Sequence, residues 1–304
     1  PVPVTGITDA TAITAGGVNT CAIHATGTIS CWGYNGGGQL GNGTNHWSST
    51  PVPVTGITDA TTITAGDGHT CALHATGTIS CWGWDNYGQL GNGTTTNTST
   101  PVPVTGITDA TTITADGSHT CAIHATGTIS CWGYNSWGQL GNGTTTEDPV
   151  TTPVPVTGIT DATTITAGTW HTCAVHATGT ISCWGYNGSG ALGNGTTTSS
   201  SVPVPVTDIT DATAITAGLP HTCAIHDTGT ISGRGYVDFA IDPLPLTPGE
   251  YELTVAISDE FVQHNFDRRE REYHLVVRQG GRLTPEGFMD LQGRWSSSNA
   301  PAPQ

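Results

Sequence analysis

The sequence predicts an all-β chain built as an open or incomplete β-propeller of about five four-stranded blades. Three observations carry this expectation. A Thr-Cys-Ala motif recurs at Cys21, Cys71, Cys121, Cys173 and Cys223, with spacings of 50, 50, 52 and 50 residues. Residues 1–50 and 51–100 are identical at 37 of 50 positions, so one unit explains most of the chain. Each unit holds short alternating runs punctuated by Gly, Pro and Asn, a pattern of strands and turns and not of helices. A unit this small cannot bury its own faces and must stack on its neighbours. Four short strands at this period are the spacing of a propeller blade.

Unit 51–100 shows why each element is expected. Pro51-Val-Pro-Val54 is an extended piece whose prolines suit a sheet edge or a strand start. Asp59-Ala60 is a turn, and Thr61 to Ala65 alternates around Ile63. His69 to Ala75 and Thr78 to Gly83 read as two further strands. A loop rich in Gly and Asn then runs from Trp84 to Gly93. Its closing Asn-Gly is a turn signal, and Asn-Gly-Thr is also a glycosylation sequon. The units run 1–50, 51–100, 101–152, 153–202 and a truncated 203–232.

Charge divides the chain. Of its 304 residues, 23 are acidic and 7 basic. All seven basic residues are arginines between Arg234 and Arg294. The first 233 residues hold twelve carboxylates and no Lys or Arg. Nucleic acid binding needs cations to replace phosphate counterions, so this region excludes it. No apolar run reaches the ~18 residues of a membrane-crossing helix, so no membrane insertion is expected. The chain begins at Pro1 and carries no signal peptide, as expected of a mature product or a fragment.

The run Gly68-His-Thr-Cys-Ala-Leu-His-Ala-Thr-Gly-Thr-Ile-Ser-Cys-Trp-Gly83, followed by Tyr87-Gly-Gln-Leu-Gly-Asn-Gly-Thr94, resembles the regulator of chromosome condensation repeat. It looks most like the cysteine-bearing bacterial versions. The resemblance spans residues 1–232 and implies a β-propeller, usually of seven blades. It also points to secreted propellers that bind other proteins.

Eight of the nine cysteines form pairs ten residues apart: Cys21 and Cys31, Cys71 and Cys81, Cys121 and Cys131, Cys173 and Cys183. The intervening Ala25-Thr26-Gly27 fits a three-residue hairpin turn with Gly in the left-handed position. That turn places Ile23 opposite Ile29 and Cys21 opposite Cys31. A two-residue turn would put the two sulfurs on opposite faces. Cross-strand disulfides follow, and with them an extracellular or cell-surface location. Zinc is the rival, because His69, Cys71 and Cys81 share a face by strand parity. The first unit has Asn19 in place of the histidine, and the short Cys spacing of zinc ribbons is absent. No metal or other cofactor is therefore expected. The recurring His24, His74, His124, His176 and His226 read as solvated or backbone-bonded turn residues. The repeated Asp9, Asp59, Asp109, Asp161 and Asp211 read as turn caps. No nucleophile elbow, phosphate loop or metalloprotease motif occurs, so no catalytic residue is expected.

Copies this similar make their differences informative. These concentrate before the first cysteine, after the Trp-Gly and after the Asn-Gly turn. Several variants are aromatic: Trp47, Trp84, Tyr87, Trp137 and Trp170. Loops on a rigid scaffold are where recognition sits, and exposed aromatics are common anchors. These five are the candidate binding residues, for a protein or a cell-surface glycan. Trp32, Trp82, Trp132 and Trp184 recur inside the invariant motif and are expected in the core.

After Ser232 the fifth unit departs from the pattern: Gly233-Arg-Gly-Tyr236 replaces Cys-Trp-Gly-Tyr, and Cys223 loses its partner. Alternation at Tyr251 to Ile257 and at Tyr273 to Val277 predicts two strands. Pro243-Leu-Pro-Leu-Thr-Pro-Gly-Glu-Tyr251, Asn265-Phe-Asp-Arg268, Tyr273-His-Leu-Val276 and Gly293-Arg-Trp295 resemble the last strands of a carbohydrate-binding β-sandwich, the one that ends the ATP-binding subunits of O-antigen exporters. Residues 233–295 are thus expected as a partial sandwich, for which the resemblance implies polysaccharide recognition as the alternative function, and 296–304 as a disordered end.

Overall fold

A computed structural model describes residues 2–219, 221–227, 231–234, 251–255 and 273–277. All regular structure among them is β. The first sheet comprises β1 (Ala10–Ala15), β2 (Asn19–His24), β3 (Ile29–Gly33) and β4 (Ser48–Pro53), in that order. The second repeats it with β5 (Ala60–Ala65), β6 (His69–His74), β7 (Ile79–Gly83) and β8 (Thr98–Pro103). The third has β9 (Ala110–Asp116), β10 (His119–His124), β11 (Ile129–Asn135) and β12 (Thr146–Pro155). The fourth has β13 (Ala162–Ala167), β14 (His171–His176), β15 (Ile181–Gly185) and β16 (Ser200–Pro205). The fifth has β17 (Ala212–Ala217), β18 (Thr222–His226) and β19 (Ile231–Arg234). Further along, β20 (Tyr251–Val255) pairs antiparallel with β21 (Tyr273–Val277), the two strands expected there. The carbohydrate-binding resemblance and the disordered end otherwise fall outside the described residues.

The first strands of successive blades adjoin one another, so the blades form an arc that does not close. Each blade borrows its outer strand. Pro51-Val-Pro53, which opens the second sequence unit, completes the first sheet, where Ser30 faces Pro53 and Cys31 faces Val52. Proline lacks an N–H, and the outermost strand is where a sheet tolerates that loss.

The hairpin register follows the sequence expectation: Ile23 faces Ile29, Ala22 faces Ser30, and Cys21 faces Cys31. Gly27 takes φ 80° to close the turn. All four cysteine pairs are disulfides, with Cα–Cα distances of 4.0 to 4.1 Å. Cys223 is free and half-buried, and burial raises the pKa of its thiol. The sulfurs of Cys71 and Cys81 bond to each other, so the His69–Cys71–Cys81 set does not assemble as metal ligands.

The core lies between blades. Cys21, Ile23, Ile29, Cys31 and Leu40 of the first sheet pack on Ile63, Ala72 and Trp82 of the second. The second and third seams repeat this arrangement around Trp132 and Trp184. Trp82, Trp132 and Trp184 are fully buried, whereas Trp32, on the uncovered side of the first blade, is only half-buried. Ile13 on that side is 66% exposed, against 7% for its counterpart Ile63.

Hydrogen bonds stitch each seam. Trp132 Nε1 and Thr120 Oγ1 both donate to the Gln89 carbonyl of the preceding blade, at 2.9 and 3.0 Å. That leaves Thr120 Oγ1 to accept from His69 Nε2 at 2.8 Å. His119 and His171 reach Thr172 and Thr222 in the same way. In the first blade Asn19 Nδ2 donates to Thr70 Oγ1 at 3.0 Å. Burial holds the three imidazoles neutral, with pKa values lowered to about 4 for His69, about 3 for His119 and about 4 for His171.

Candidate functional site

Strand direction gives each blade two different ends. At one end lie the turn between the second and third strands and the approach to the first strand; this is the hairpin end. At the other lie the turn between the first and second strands and the long connection between the third and fourth; this is the loop end. All three variable segments of the repeat fall at the loop end: 17–19, 34–37 and 45–47 in the first unit and their counterparts in the others.

Recurring side chains build the long loop by gripping its main chain. Asn35 is buried; its Oδ1 accepts from Leu40 N at 2.8 Å, and its Nδ2 donates to the Thr44 and His46 carbonyls. Asn135 and Asn187 repeat the grip on Leu140 and Leu192. Gln39 Oε1 accepts from Gly37 N at 2.8 Å, and Gln89 and Gln139 hold Tyr87 N and Trp137 N in the same way. These contacts fix the backbone whatever side chain it carries. Positions 37, 87 and 137 are accordingly Gly, Tyr and Trp on one frame. In the fourth unit Ala191 stands where the glutamine would be.

The second unit replaces the gripping amide with Asp85. Its Oδ1 accepts from Leu90 N at 2.9 Å and its Oδ2 from Thr94 Oγ1 at 3.1 Å. Burial outweighs these donors and raises its pKa to about 6. Asp116, in the first turn of the third blade, is also pushed up to about 6, by burial first and by the nearby Asp67 charge second.

The expected binding residues do sit at the loop end, in different settings. Trp47 is 72% exposed on the outer part of the first loop. Tyr87, Trp137 and Trp170 are 40%, 43% and 38% exposed. Trp84 differs: its indole is half-buried between the backbones of Gly37 and Gly68, where a Cβ on either glycine would collide with the ring. Two residues absent from the sequence expectation complete the group. Tyr134 meets Tyr87 edge to face at 4.9 Å, and Tyr186 meets Trp137 at 5.0 Å and Trp170 at 5.7 Å. Their positions match Tyr34, so the sequence does hold them, but only the seam geometry shows that they pair across neighbouring blades.

The hairpin end departs from expectation. His24 is not a solvated or backbone-bonded turn residue. Its Nδ1 hydrogen-bonds Asp9 Oδ1 at 2.6 Å and its Nε2 hydrogen-bonds Ser30 Oγ at 2.9 Å. The same trio recurs as Asp59–His74–Ser80, Asp109–His124–Ser130 and Asp161–His176–Ser182. His226 bonds Asp211 at 2.5 Å. Bonding to His24 lowers the Asp9 pKa. The aspartate carboxylate thus serves the histidine, while its main-chain carbonyl accepts from Ala25 N at 3.0 Å.

The connectivity is that of a serine hydrolase triad, but the setting differs. The serine lies inside a paired strand, between Ala22 on one side and Pro53 on the other. An activated serine needs a turn that exposes it and free N–H groups beside it. The trio ties three neighbouring segments of one blade together. Among the described residues no group of three or more His, Cys, Asp or Glu side chains could hold a metal ion. Among the described residues no helix is long and apolar enough to cross a membrane.

Comparison with known proteins gives a consistent picture. The regulator of chromosome condensation (RCC1) repeat model matches residues 26–73, 76–123, 126–175 and 178–225, together well over half of the chain. A second model of the same repeat matches 60–89 and 162–191. No curated protein matches the sequence. Among solved structures, human WBSCR16 superposes with a TM-score of 0.67 at 21% identity, covering 74% of this chain and 60% of that one. Prp20p from Saccharomyces cerevisiae gives 0.64 at 18% identity, covering 77% and 58%. The chain thus spans about three-fifths of the length of these two structures, and at such identities the likeness is one of fold. With the blade architecture and four matched repeats together, the chain belongs to the regulator of chromosome condensation repeat family.

Proposed function

We propose that this chain is a non-catalytic, secreted binding scaffold that engages a protein or cell-surface partner through the loop end of its blades. The observation that carries this reading is the placement of variation. In units that are otherwise near-copies, most of the differing residues and the exposed aromatics gather at one end, on loops held by recurring Asn and Gln side chains. A rigid frame with interchangeable side chains is how binding loops are built. The fold relative Prp20p has binding properties to Gsp1p and histones and has been solved bound to Kap60. Four intrachain disulfides favour an oxidising compartment.

Differential capture tests the reading. The full chain, immobilised, should retain a partner from its own source. Trp137→Ala with Trp170→Ala should lose that partner, while Thr126→Ala in the hairpin turn should keep it. The reverse pattern would move the site to the hairpin end and overturn the reading. Thiol titration of the denatured protein tests the compartment. Cys223 alone should react; nine reactive thiols would place the chain in a reducing one.

A further inference from the structure

The chemistry of the loop end specifies the kind of partner, and this inference rests on the binding reading above. Aromatic contacts link blades two to four: Tyr87 meets Tyr134 and Trp137 meets Tyr186 across the two seams, and Trp170 meets Tyr186 within the fourth blade. Edge-to-face pairing covers one face of one ring in each pair, and the face of an aromatic ring is its negative pole. The ionised groups of this surface are also negative. Asp67 and Asp116 occupy equivalent first turns of adjacent blades, joined by a bond from Asp67 N to the Gly117 carbonyl at 3.0 Å. Glu147 and Asp148 lie further out, beyond the loop that carries Trp137. No Lys or Arg occurs in the first 233 residues to balance them. Among the described residues, the side-chain contacts between basic and acidic groups are the Asp–His contacts at the opposite end.

Rings and carboxylates together favour one ligand charge. A guanidinium or ammonium gains from stacking on Tyr or Trp and from pairing with a carboxylate. An anionic ligand gains from neither. A neutral sugar stacks on the rings but draws nothing from the charge. We propose that the loop end of blades two to four docks a cationic peptide segment, an Arg- or Lys-rich stretch of a protein partner, on Tyr87, Trp137 and Trp170 with Asp67 and Asp116 alongside.

The test uses the full chain with labelled nona-arginine, nona-glutamate and a neutral oligosaccharide, read by fluorescence anisotropy. Nona-arginine should bind, and should weaken about tenfold between low and physiological salt. Trp137→Ala should weaken it about fivefold, as should Asp116→Asn. Asp208→Asn removes the same charge at the hairpin end and should leave binding unchanged. Asp208 already has φ 61°, a conformation asparagine accepts. Equal weakening by Asp208→Asn would reduce the effect to net charge and overturn the proposal. So would binding of nona-arginine that ignores Trp137→Ala, or no binding at all. Oligosaccharide binding lost with Trp137→Ala, without nona-arginine binding, would overturn the cationic partner yet keep the loop end as the site. Loss of the natural partner's dependence on Trp137 would instead overturn the reading beneath it.

Discussion

The two ends of each blade solve opposite problems. At the hairpin end every functional side chain finds its partners within its own blade: His24 takes Asp9 fifteen residues before it and Ser30 six after. Changing one member strands the other two, and Asp, His and Ser recur at these positions in all five units. At the loop end the recurring amides hold main-chain atoms: Gln39 takes Gly37 N and Asn35 takes Leu40 N. Side chains at the apex are released from structural duty, and they differ in every unit. Side-chain partnership enforces constancy, and main-chain partnership permits variety.

The sharpest way to break this contrast compares two tryptophans five residues apart. Trp132 is fully buried and bonds Gln89 across a seam. Trp132→Ala should cost about 3–5 kcal/mol in a denaturant titration. Trp137→Ala at the loop apex should cost about 0.5 kcal/mol or less. Similar losses for both would mean that the apex is structural, and the distinction between the ends would fall.

Acid comes next in size. His69, His119 and His171 have folded pKa values below their unfolded value, so they supply stability that is present above about pH 6.5 and lost as pH falls toward about 4. Asp85 and Asp116 act in the opposite sense. Their raised values make the folded state the better proton acceptor, and they stabilise it as pH falls through about 6. The three histidines outnumber the two carboxylates and are more deeply buried, so the melting temperature should drop between pH 7 and pH 5. Asn19 shows that asparagine can make the same cross-seam bond. Replacing all three histidines with Asn should reverse the slope, leaving the carboxylates to raise the melting temperature over that range. An unchanged slope would remove the histidines from the account.

Two smaller effects sharpen the contrast. Ser130→Ala leaves the His124 ring without its second partner and should cost about 1 kcal/mol by chemical denaturation. Ala191→Gln should restore in the fourth blade the main-chain grip found in the other three. The expected gain is about 0.5 kcal/mol, with slower amide exchange at the loop apex. A loss would show that the fourth loop has a frame of its own.

Much of this architecture was legible in the sequence, for physical reasons. Ala25-Thr26-Gly27 admits one turn length, and that length alone places Cys21 opposite Cys31. The prolines of Pro51-Val-Pro53 suit an edge or a strand start, and they lie in an outermost strand. What stayed hidden has a common cause. His69 bonds Thr120, fifty-one residues away in the next unit, and repeats spaced evenly give no hint of which residues meet across a seam. The same blindness conceals the pairing of Tyr134 and Tyr186 with rings of the neighbouring blades. His24 was misread because its strand parity points it away from the core, where a solvated ring is the ordinary outcome. Only the fold brings Asp9 to it. Trp84 shows what type alone leaves out: an aromatic in a variable loop reads as an anchor, and only the fold shows that glycines at 37 and 68 make a slot for its ring.

The borrowed outer strand has a consequence for inheritance. Because Pro51-Val-Pro53 closes the sheet before it, the genetic repeat and the folded blade are out of phase, like courses of brick laid with staggered joints. Every seam is written by residues of two consecutive units. Duplicating one unit in register therefore inserts a complete new seam and leaves the existing ones intact, while deleting one rejoins two compatible neighbours. A lineage can lengthen or shorten such an array by copying error alone and obtain a packed junction each time, with a fresh set of apex side chains free to diverge.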